Sequence, residues 1–169
     1  MSARGSSAAL ARLDQSERTW RQLRDQAQGS YSYRVRWQSW VGFGHVTTVR
    51  VVNGRVLERK FEPFHRPGTP AAAGAPQDAG WVERGPEIGS RDGIAAPALT
   101  LDALYDSCRG LLSESGPESS DRLPRWQAPV LTLDERGVLQ SCTSTQAFVS
   151  DDAPVRGVPA LVLVLSPGH

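Results

Sequence analysis

Two cysteines, three histidines and several acidic residues are the side chains of this sequence that could carry chemistry. Cys108 and Cys142 can form one disulfide or remain two thiols. A structural zinc site would also need histidines at suitable spacing, but His45, His65 and His169 are scattered along the chain. The sequence therefore predicts no metal site and no bound cofactor.

Four acidic residues lie near the ends of predicted strands: Asp134, Glu135, Asp151 and Asp152. Such carboxylates could form a catalytic pair or a calcium loop. Aspartate is also favoured in turns for conformational reasons, and no twelve-residue calcium-loop pattern is present. Asp134, Asp151 and Asp152 therefore form an alternative acidic site, which would suit a small hydrolase or lyase.

The motifs of common nucleophilic and phosphate-binding sites are absent from the sequence. There is no G-x-S-x-G elbow and no serine three residues before a lysine, since Lys60 is the only lysine. The G-x-G of residues 42–44 precedes no predicted helix, so it lacks the row of backbone amides that holds a phosphate. These absences favour a protein that is not an enzyme.

The charge balance and hydropathy restrict the partners and the compartment. Nineteen basic and eighteen acidic residues give a net charge of +1, so overall charge does not favour nucleic acid or an anionic membrane. No apolar run reaches the roughly 18 residues of a membrane span. The first 14 residues also lack a signal-peptide core, so the protein is either cytoplasmic or exported by a segment outside this sequence.

Hydropathy with a helical period predicts two helices. The first runs from about Ala8 to Gln28, and residues 1–8 are expected to be a disordered tail. The second runs from Leu99 to Leu112, with Thr100 as its N-cap. Its apolar residues recur at spacings of three and four: Leu101, Leu104, Tyr105, Cys108, Leu111 and Leu112. We expect this face to be buried.

Hydropathy patterns predict six strands, at residues 31–37, 45–52, 55–61, 126–133, 138–145 and 158–165. Asn53-Gly54 predicts a hairpin, for which a two-residue turn and a bulged turn both remain open. Residues 150–157 are expected to form a loop. The last strand is apolar on both faces, which favours a central position in the sheet or a strand that is covered on both sides.

The predicted order is helix, three strands, helix, three strands. Sequential strands joined by short turns favour an α+β fold with an antiparallel sheet and two helices packed on one face. We expect a single domain over residues 9–166, with a long irregular insert at about 62–98 that is rich in proline, alanine and glycine.

The first predicted strand combines aromatic residues with arginines, a composition that also suits RNA or ligand stacking. Tyr31, Tyr33 and Trp37 share one face with Val35, however, as expected of a core strand. The arginines lie on the opposite face and are expected to be solvated. We therefore expect no nucleic-acid partner.

These segments resemble the uncharacterised bacterial proteins grouped as domain-of-unknown-function family 6174. The resemblance covers roughly Leu13 to Leu165 without the insert. The matched motifs are a Y-x-Y strand (Tyr31, Tyr33), a V-x-V-x-N-G-x-V hairpin (Val49, Val51, Asn53, Gly54, Val56), a T-[IL]-D-x-L-[FY] helix start (Thr100, Leu101, Asp102, Leu104, Tyr105), an Asp and Gly turn (Asp134, Gly137) and a double acid (Asp151, Asp152). The chain departs from the family at Gly137-Val138-Leu139, where G-x-P is usual, and near Thr145, where an acid is usual.

The resemblance implies a location and a class of function. Members of the family have no established activity and are often exported or lipid-anchored, which implies a periplasmic, secreted or lipid-anchored protein. Together with the missing catalytic motifs, this implies a non-enzymatic binding or structural accessory module. Its partner would be an unknown protein or envelope component, held by the open sheet face or by the insert.

The resemblance also places both cysteines on apolar positions, Cys108 on the second helix and Cys142 on a strand. Both side chains should then point into the same core, with the helix lying over that strand. A disulfide between them would stabilise the fold by about 3–4 kcal/mol. The alternative is two buried, reduced thiols that act as small apolar side chains.

Overall fold

The computed structural model describes residues 2–65 (side chains from residue 7), 67, 79–114, 128–145 and 155–166. The α+β class with antiparallel sheet is confirmed. The elements are α1 (Ser2–Gln26), β1 (Tyr31–Gln38), β2 (Phe43–Val52), β3 (Arg55–His65), β4 (Trp81–Arg84), a 3₁₀ turn (Gly85–Glu87), α2 (Leu101–Glu114), β5 (Val130–Leu133), β6 (Leu139–Thr145), β7 (Val155–Val158) and β8 (Leu161–Leu165).

The described strands form two antiparallel sheets, with orders β4-β3-β2-β1-β8 and β5-β6-β7. The predicted order of three strands, a helix and three strands is therefore wrong, since four strands precede α2 and four follow it. The additional strand before α2 is β4, which lies inside the predicted insert. Its four residues are too few for a hydropathy pattern to separate a strand from a polar loop.

The predicted strand over residues 158–165 is two strands in different sheets. Pro159 lies between β7 and β8 and has no amide hydrogen, so a ladder cannot continue through it. The expected central position is also wrong, because β8 is the last strand in its sheet order. Leu161 and Leu163 are buried there, whereas Val162 and Val164 are exposed. Residues 155–157, expected in a loop, belong to β7.

The chain forms two compact units. The helical unit comprises Met1–Asp25 and Leu101–Ala160, and the sheet unit comprises Gln26–Thr100 and Leu161–His169. The chain passes from one unit to the other three times. Neither unit is therefore a continuous piece of sequence.

The β2–β3 hairpin combines the two turn geometries that the sequence left open. Asn53 and Gly54 have φ angles of 50° and 72°, as a two-residue turn of the mirror-image class requires. The register then shifts between Arg50 and Val51, because Val51 pairs with Val56 while Arg50 pairs with Glu58. The hairpin thus has a tight turn followed by a bulge.

The helical unit is built on α2. Its six predicted apolar residues are all buried, and α2 packs against β6 and β7. A hydrogen bond of 2.7 Å joins the hydroxyl groups of Tyr105 and Ser16 of α1, and the Tyr105 oxygen accepts a bond of 2.9 Å from the Leu139 amide. Helix α1 begins at Ser2, earlier than the predicted start near Ala8, and reaches Gln26.

Candidate functional site

The predicted cysteine pair is bonded. Cys108 and Cys142 form a disulfide, and both residues are fully buried. The bond joins α2 to β6, which confirms that the helix lies over the strand carrying Cys142. A Cβ atom at Gly157 of β7 would overlap the Cys142 carbonyl oxygen and lie 2.7 Å from a Leu111 methyl carbon. This close packing excludes solvent from the bond, so the disulfide is a structural link.

Of the three residues in the alternative acidic site, the structure describes Asp134. Its carboxylate accepts 2.9 Å hydrogen bonds from the amides of Arg136 and Val138 and pairs with the Arg136 guanidinium at 2.7 Å. These contacts stabilise the turn between β5 and β6. Asp151 and Asp152 lie outside the described residues.

Metal-binding and membrane-spanning features were sought in the described part of the chain. No three or more histidine, cysteine or acidic side chains there lie close enough together to hold a metal ion. Among the described helices, none combines the length and the apolar character needed to cross a membrane.

A buried ion pair lies between β3 and β4 of the sheet unit. Arg59 and Glu83 are directly paired across the strands, and only 4% and 1% of their side chains are exposed. Their two parallel hydrogen bonds are both 2.9 Å long. A bidentate pair of this kind fixes geometry as well as compensating charge. Sequence reasoning missed this pair because nothing local links residues 59 and 83.

The same ion pair holds the irregular chain that follows β4. Glu83 accepts hydrogen bonds from the amides of Gly89 and Arg91 at 2.7 and 2.8 Å. Arg59 donates to the carbonyl oxygens of Arg91 and Ala96 at 2.6 and 3.2 Å. Burial alone would raise the pKa of Glu83, but the bonds from Arg59 and the two amides outweigh it, so that pKa is lowered.

Four rings in successive contact run across the inner face of the five-stranded sheet, and we name this row the ring ladder. Trp81 of β4 stacks on Phe61 of β3 at 5.4 Å and 16° between ring planes. Phe61 contacts His45 of β2 at 5.1 Å, and His45 stacks on Trp37 of β1 at 5.4 Å and 20°. The Arg59 guanidinium lies over Trp81, 4.9 Å from the centre of its ring.

The Trp37 end of the ring ladder is open to solvent. Trp37 is 47% exposed although one face of its indole rests on His45. The pairing of β1 with β8 reaches only Val35, opposite Leu161. No described residue of β8 is therefore paired beside Trp37, whose indole also contacts the ring of Phe43 at 5.8 Å. The sequence predicted that Trp37 lies in the core. Its side chain does lie on the same sheet face as Tyr33 and Val35, but the prediction that it is buried is wrong.

His45 is buried within the ring ladder and keeps an unsatisfied nitrogen. The residue is 5% exposed, and its Nδ1 has no hydrogen-bond partner among the described residues. Burial disfavours the charged imidazolium, so it lowers the pKa of His45 below its ordinary value. A neutral imidazole is the form expected between two aromatic rings at neutral pH.

Lowering the pH from 8 to 5 is expected to reduce the free energy of unfolding through His45. The unfolded chain takes up a proton near pH 6.5, but folded His45 resists protonation. This contribution to stability is therefore complete above about pH 6.5 and is lost as the pH falls through the lower, folded-state pKa. Urea unfolding across this range should show a smaller decline for His45→Phe than for the native protein. His65→Phe, at an exposed position, is the control. If it changed the pH dependence of the free energy of unfolding as much as His45→Phe does, the assignment to His45 would be contradicted.

The exposed face of the five-stranded sheet, which we name the outer face, carries an excess of positive charge. Its acidic residues are Glu58 and Glu62. Its basic residues, assigned by strand register, are Arg34, Arg36, Arg50, Arg55, Lys60 and Arg84. Lys60 pairs with Glu62, and Arg84 pairs with Glu58, each at 2.7 Å. The other four arginines form no ion pair within the described residues.

The remainder of the outer face is aliphatic or polar. Val162 and Val164 of β8 lie opposite Arg34 and Ser32 of β1, so exposed valines adjoin the unpaired arginines. Arg36 covers the ring of Phe64, with its guanidinium carbon 4.4 Å from the ring centre. The outer face therefore combines cationic groups with exposed aliphatic side chains.

In comparisons with known proteins, the chain matches no protein-family model, no curated protein and no solved structure.

Proposed function

We propose that this protein is a non-enzymatic binding module of the bacterial envelope, and that its outer face binds an acidic protein partner. The observation that carries this proposal is the group of unpaired arginines on that face: Arg34, Arg36, Arg50 and Arg55. The complete chain has a net charge of only +1, so the excess on the outer face is local. A local patch of one sign steers and orients a partner of opposite sign.

The strand arrangement favours a protein as the partner. Arg34 and Arg50 project from neighbouring strands in fixed register, so their guanidinium groups can receive carboxylates without ordering a loop. Val162 and Val164 supply apolar area beside them. Arginines bordered by aliphatic side chains are typical of protein interfaces.

The chemistry of the outer face distinguishes this partner from RNA and from a membrane. Sheet surfaces that bind single-stranded RNA present aromatic rings on which bases stack. The aromatic ring on this face, that of Phe64, is covered by Arg36. Membrane surfaces are usually bound with Trp, Phe or Leu side chains. The exposed apolar residues at paired positions of the outer face are the short Val82, Val162 and Val164, and the exposed Leu57 lies in the β3 bulge.

The disulfide supports an extracytoplasmic location for the module. Disulfides persist in the periplasm and outside the cell, whereas the cytosol keeps most thiols reduced. Membership of family 6174, whose members are often exported or lipid-anchored, is part of this proposal. The rival reading, a hydrolase or lyase, would require Asp134 to leave its turn contacts, and the structure describes neither Asp151 nor Asp152.

The experiment is titration of the ¹⁵N-labelled protein with a twelve-residue peptide of alternating glutamate and valine at low salt. We expect amide shifts concentrated on β1, β2 and β8, and an affinity that falls as salt is added. The double variant Arg34→Glu, Arg50→Glu should weaken binding at least tenfold, because it reverses two unpaired charges on adjacent strands.

The matched control is Arg12→Glu, Arg18→Glu, which makes the same change in net charge on exposed positions of α1. It should retain peptide binding. Equal losses in both double variants would show a general charge effect and overturn the proposal. So would binding of single-stranded RNA or of vesicles rich in phosphatidylglycerol when the peptide does not bind.

A further inference from the structure

We propose that four residues of the outer face form a binding site for a phosphate monoester group, and we name this site the oxyanion cell. Its residues are Ser32 and Arg34 of β1 together with Thr48 and Arg50 of β2. This inference rests on the proposed function and deepens it, because the group bound there would be a phosphorylated side chain of the acidic partner. Its observations are the register of the two strands, the unused donors of the four side chains and their uncompensated charge.

Strand register gives the oxyanion cell the shape of a square in which cations and hydroxyl groups alternate at the corners. Arg50 lies opposite Ser32, and Thr48 lies opposite Arg34. Each arginine therefore has one hydroxyl side chain beside it on the neighbouring strand and another two positions earlier on its own strand. The two arginines occupy diagonal corners, at a separation of about 7–8 Å. Their long side chains can both contact a single anion held over the centre of the square.

The hydrogen-bond pattern between β1 and β2 brings the side chains of the oxyanion cell close together. The Ser39 amide donates to the Phe43 carbonyl oxygen at 2.8 Å, and the register that continues from there to Tyr31 is unbroken. Odd-numbered residues of β1 therefore carry the ladder hydrogen bonds to β2. The two pairs of the cell are the intervening pairs, whose α-carbons approach to about 4.5 Å and whose side chains lie closest.

The donors of the oxyanion cell are not used within the described part of the chain. Its two arginines are exposed and form no ion pair there, and its two hydroxyl side chains are half-buried and form no hydrogen bond there. The carboxylate nearest by register is that of Glu58, opposite Arg50 on β3, and Arg84 pairs with it at 2.7 Å. The two positive charges of the cell therefore lie close together without a counter-charge among the described residues.

Charge and donor number favour a phosphate monoester over a carboxylate. A monoester on a side chain carries between about −1.5 and −2 charges at pH 7 and presents three strong acceptor oxygens. A carboxylate carries a single charge and two oxygens. Two guanidinium groups and two hydroxyl groups therefore match the monoester, whereas one carboxylate would leave an arginine without a counter-charge. Arginine also binds phosphate groups through two parallel hydrogen bonds.

The surroundings of the oxyanion cell favour a phosphorylated protein over a lipid or a nucleic acid. The phosphodiester groups of lipid headgroups and nucleic acids carry a single negative charge each, half of what the cell can balance. Val162 and Val164 border the cell on β8, opposite Arg34 and Ser32, and both are exposed. They offer apolar area to the side chains that flank a phosphorylated residue in a peptide. Clusters of arginines are a recurring means of recognising such peptides.

The test compares two peptides by titration of the ¹⁵N-labelled native protein at one fixed ionic strength. One is the twelve-residue peptide of glutamate and valine, and the other carries phosphoserine in place of one central glutamate. We expect the phosphoserine peptide to bind about tenfold more tightly, because it adds charge-assisted hydrogen bonds. Its largest amide shifts should lie at the oxyanion cell. Inorganic phosphate alone should bind more weakly than this peptide, because it lacks the flanking contacts.

The double variant Ser32→Ala, Thr48→Val removes both hydroxyl groups of the cell without changing the net charge. It should weaken binding of the phosphoserine peptide by about tenfold, since hydrogen bonds to a charged group are stronger than neutral ones. The matched control is Ser107→Ala, Thr132→Val, which removes the same groups from exposed positions of α2 and β5 and should bind as the native protein does. The comparison of the two peptides on the native protein decides the question even if a variant does not fold.

Three outcomes would overturn this inference. They are equal affinities of the two peptides, equal losses in the two hydroxyl variants, and binding of inorganic phosphate or of vesicles rich in phosphatidylglycerol as tightly as the phosphoserine peptide. Equal affinities of the two peptides would leave the proposed function in place. Absence of binding by either peptide would remove the proposed function itself, so the two failures are distinguishable.

Discussion

Replacing Glu83 with glutamine is expected to lower the free energy of unfolding by about 3–5 kcal/mol. The change leaves the Arg59 guanidinium buried without a counter-charge, and it weakens the acceptor for the amides of Gly89 and Arg91. Urea unfolding followed by circular dichroism measures the loss. The chain after β4 should also become more accessible, which hydrogen exchange at the Gly89 and Arg91 amides would show.

The matched control is Glu58→Gln, which breaks the more exposed pair with Arg84 between the same two strands. It should cost about 0–1 kcal/mol, because exposed ion pairs contribute little. The double variant Arg59→Met, Glu83→Met should recover only part of the loss, because it removes both buried charges but also the partners of the Gly89 and Arg91 amides. Equal effects of Glu83→Gln and Glu58→Gln would show that burial does not control this ion pair.

Removing the disulfide with Cys108→Ala, Cys142→Ala is expected to cost about 3–4 kcal/mol. The two cysteines are 34 residues apart, and the chain-entropy relation assigns this value to a loop of that length. Thermal or urea unfolding of the variant against the native protein measures the difference. The native protein, denatured without reductant, should show no reactive thiol.

Two comparisons test whether the disulfide itself is responsible. The native protein unfolded in excess reductant should lose about as much stability as the double variant. Reduction breaks the bond but keeps both side chains, so this loss comes from the bond itself. Val130→Ala, at an exposed position of β5, should change the free energy of unfolding by less than about 0.5 kcal/mol. A double variant as stable as the native protein would contradict the expected contribution.

Local patterns predicted the second helix and the first strands well. The apolar spacing of α2 depends only on residues within four positions of one another, so it can be read without the fold. Tyr31, Tyr33 and Val35 alternate with polar residues for the same reason, and all three are buried. Asn53 and Gly54 are likewise informative by themselves, because few residues tolerate positive φ.

The strands that the sequence missed are short. Strands β4 and β7 have four residues each, and β7 contains a glycine with φ of 105°. Four residues hold too little alternation to reveal a strand. Their place is set by pairing partners far along the chain, since Arg59 pairs opposite Glu83 and Cys142 opposite Val158.

Sequence was therefore sufficient for the α+β class and the buried face of α2, which rest on local periodicity, whereas it left open whether the two cysteines are bonded. Tertiary structure alone decided that the described strands divide into two sheets, that Arg59 meets Glu83, and that Trp37 ends a row of contacting rings. The physical reason is the same in each case. Register between distant strands brings these side chains together, and register depends on contacts across the whole sheet and not on neighbours in the chain.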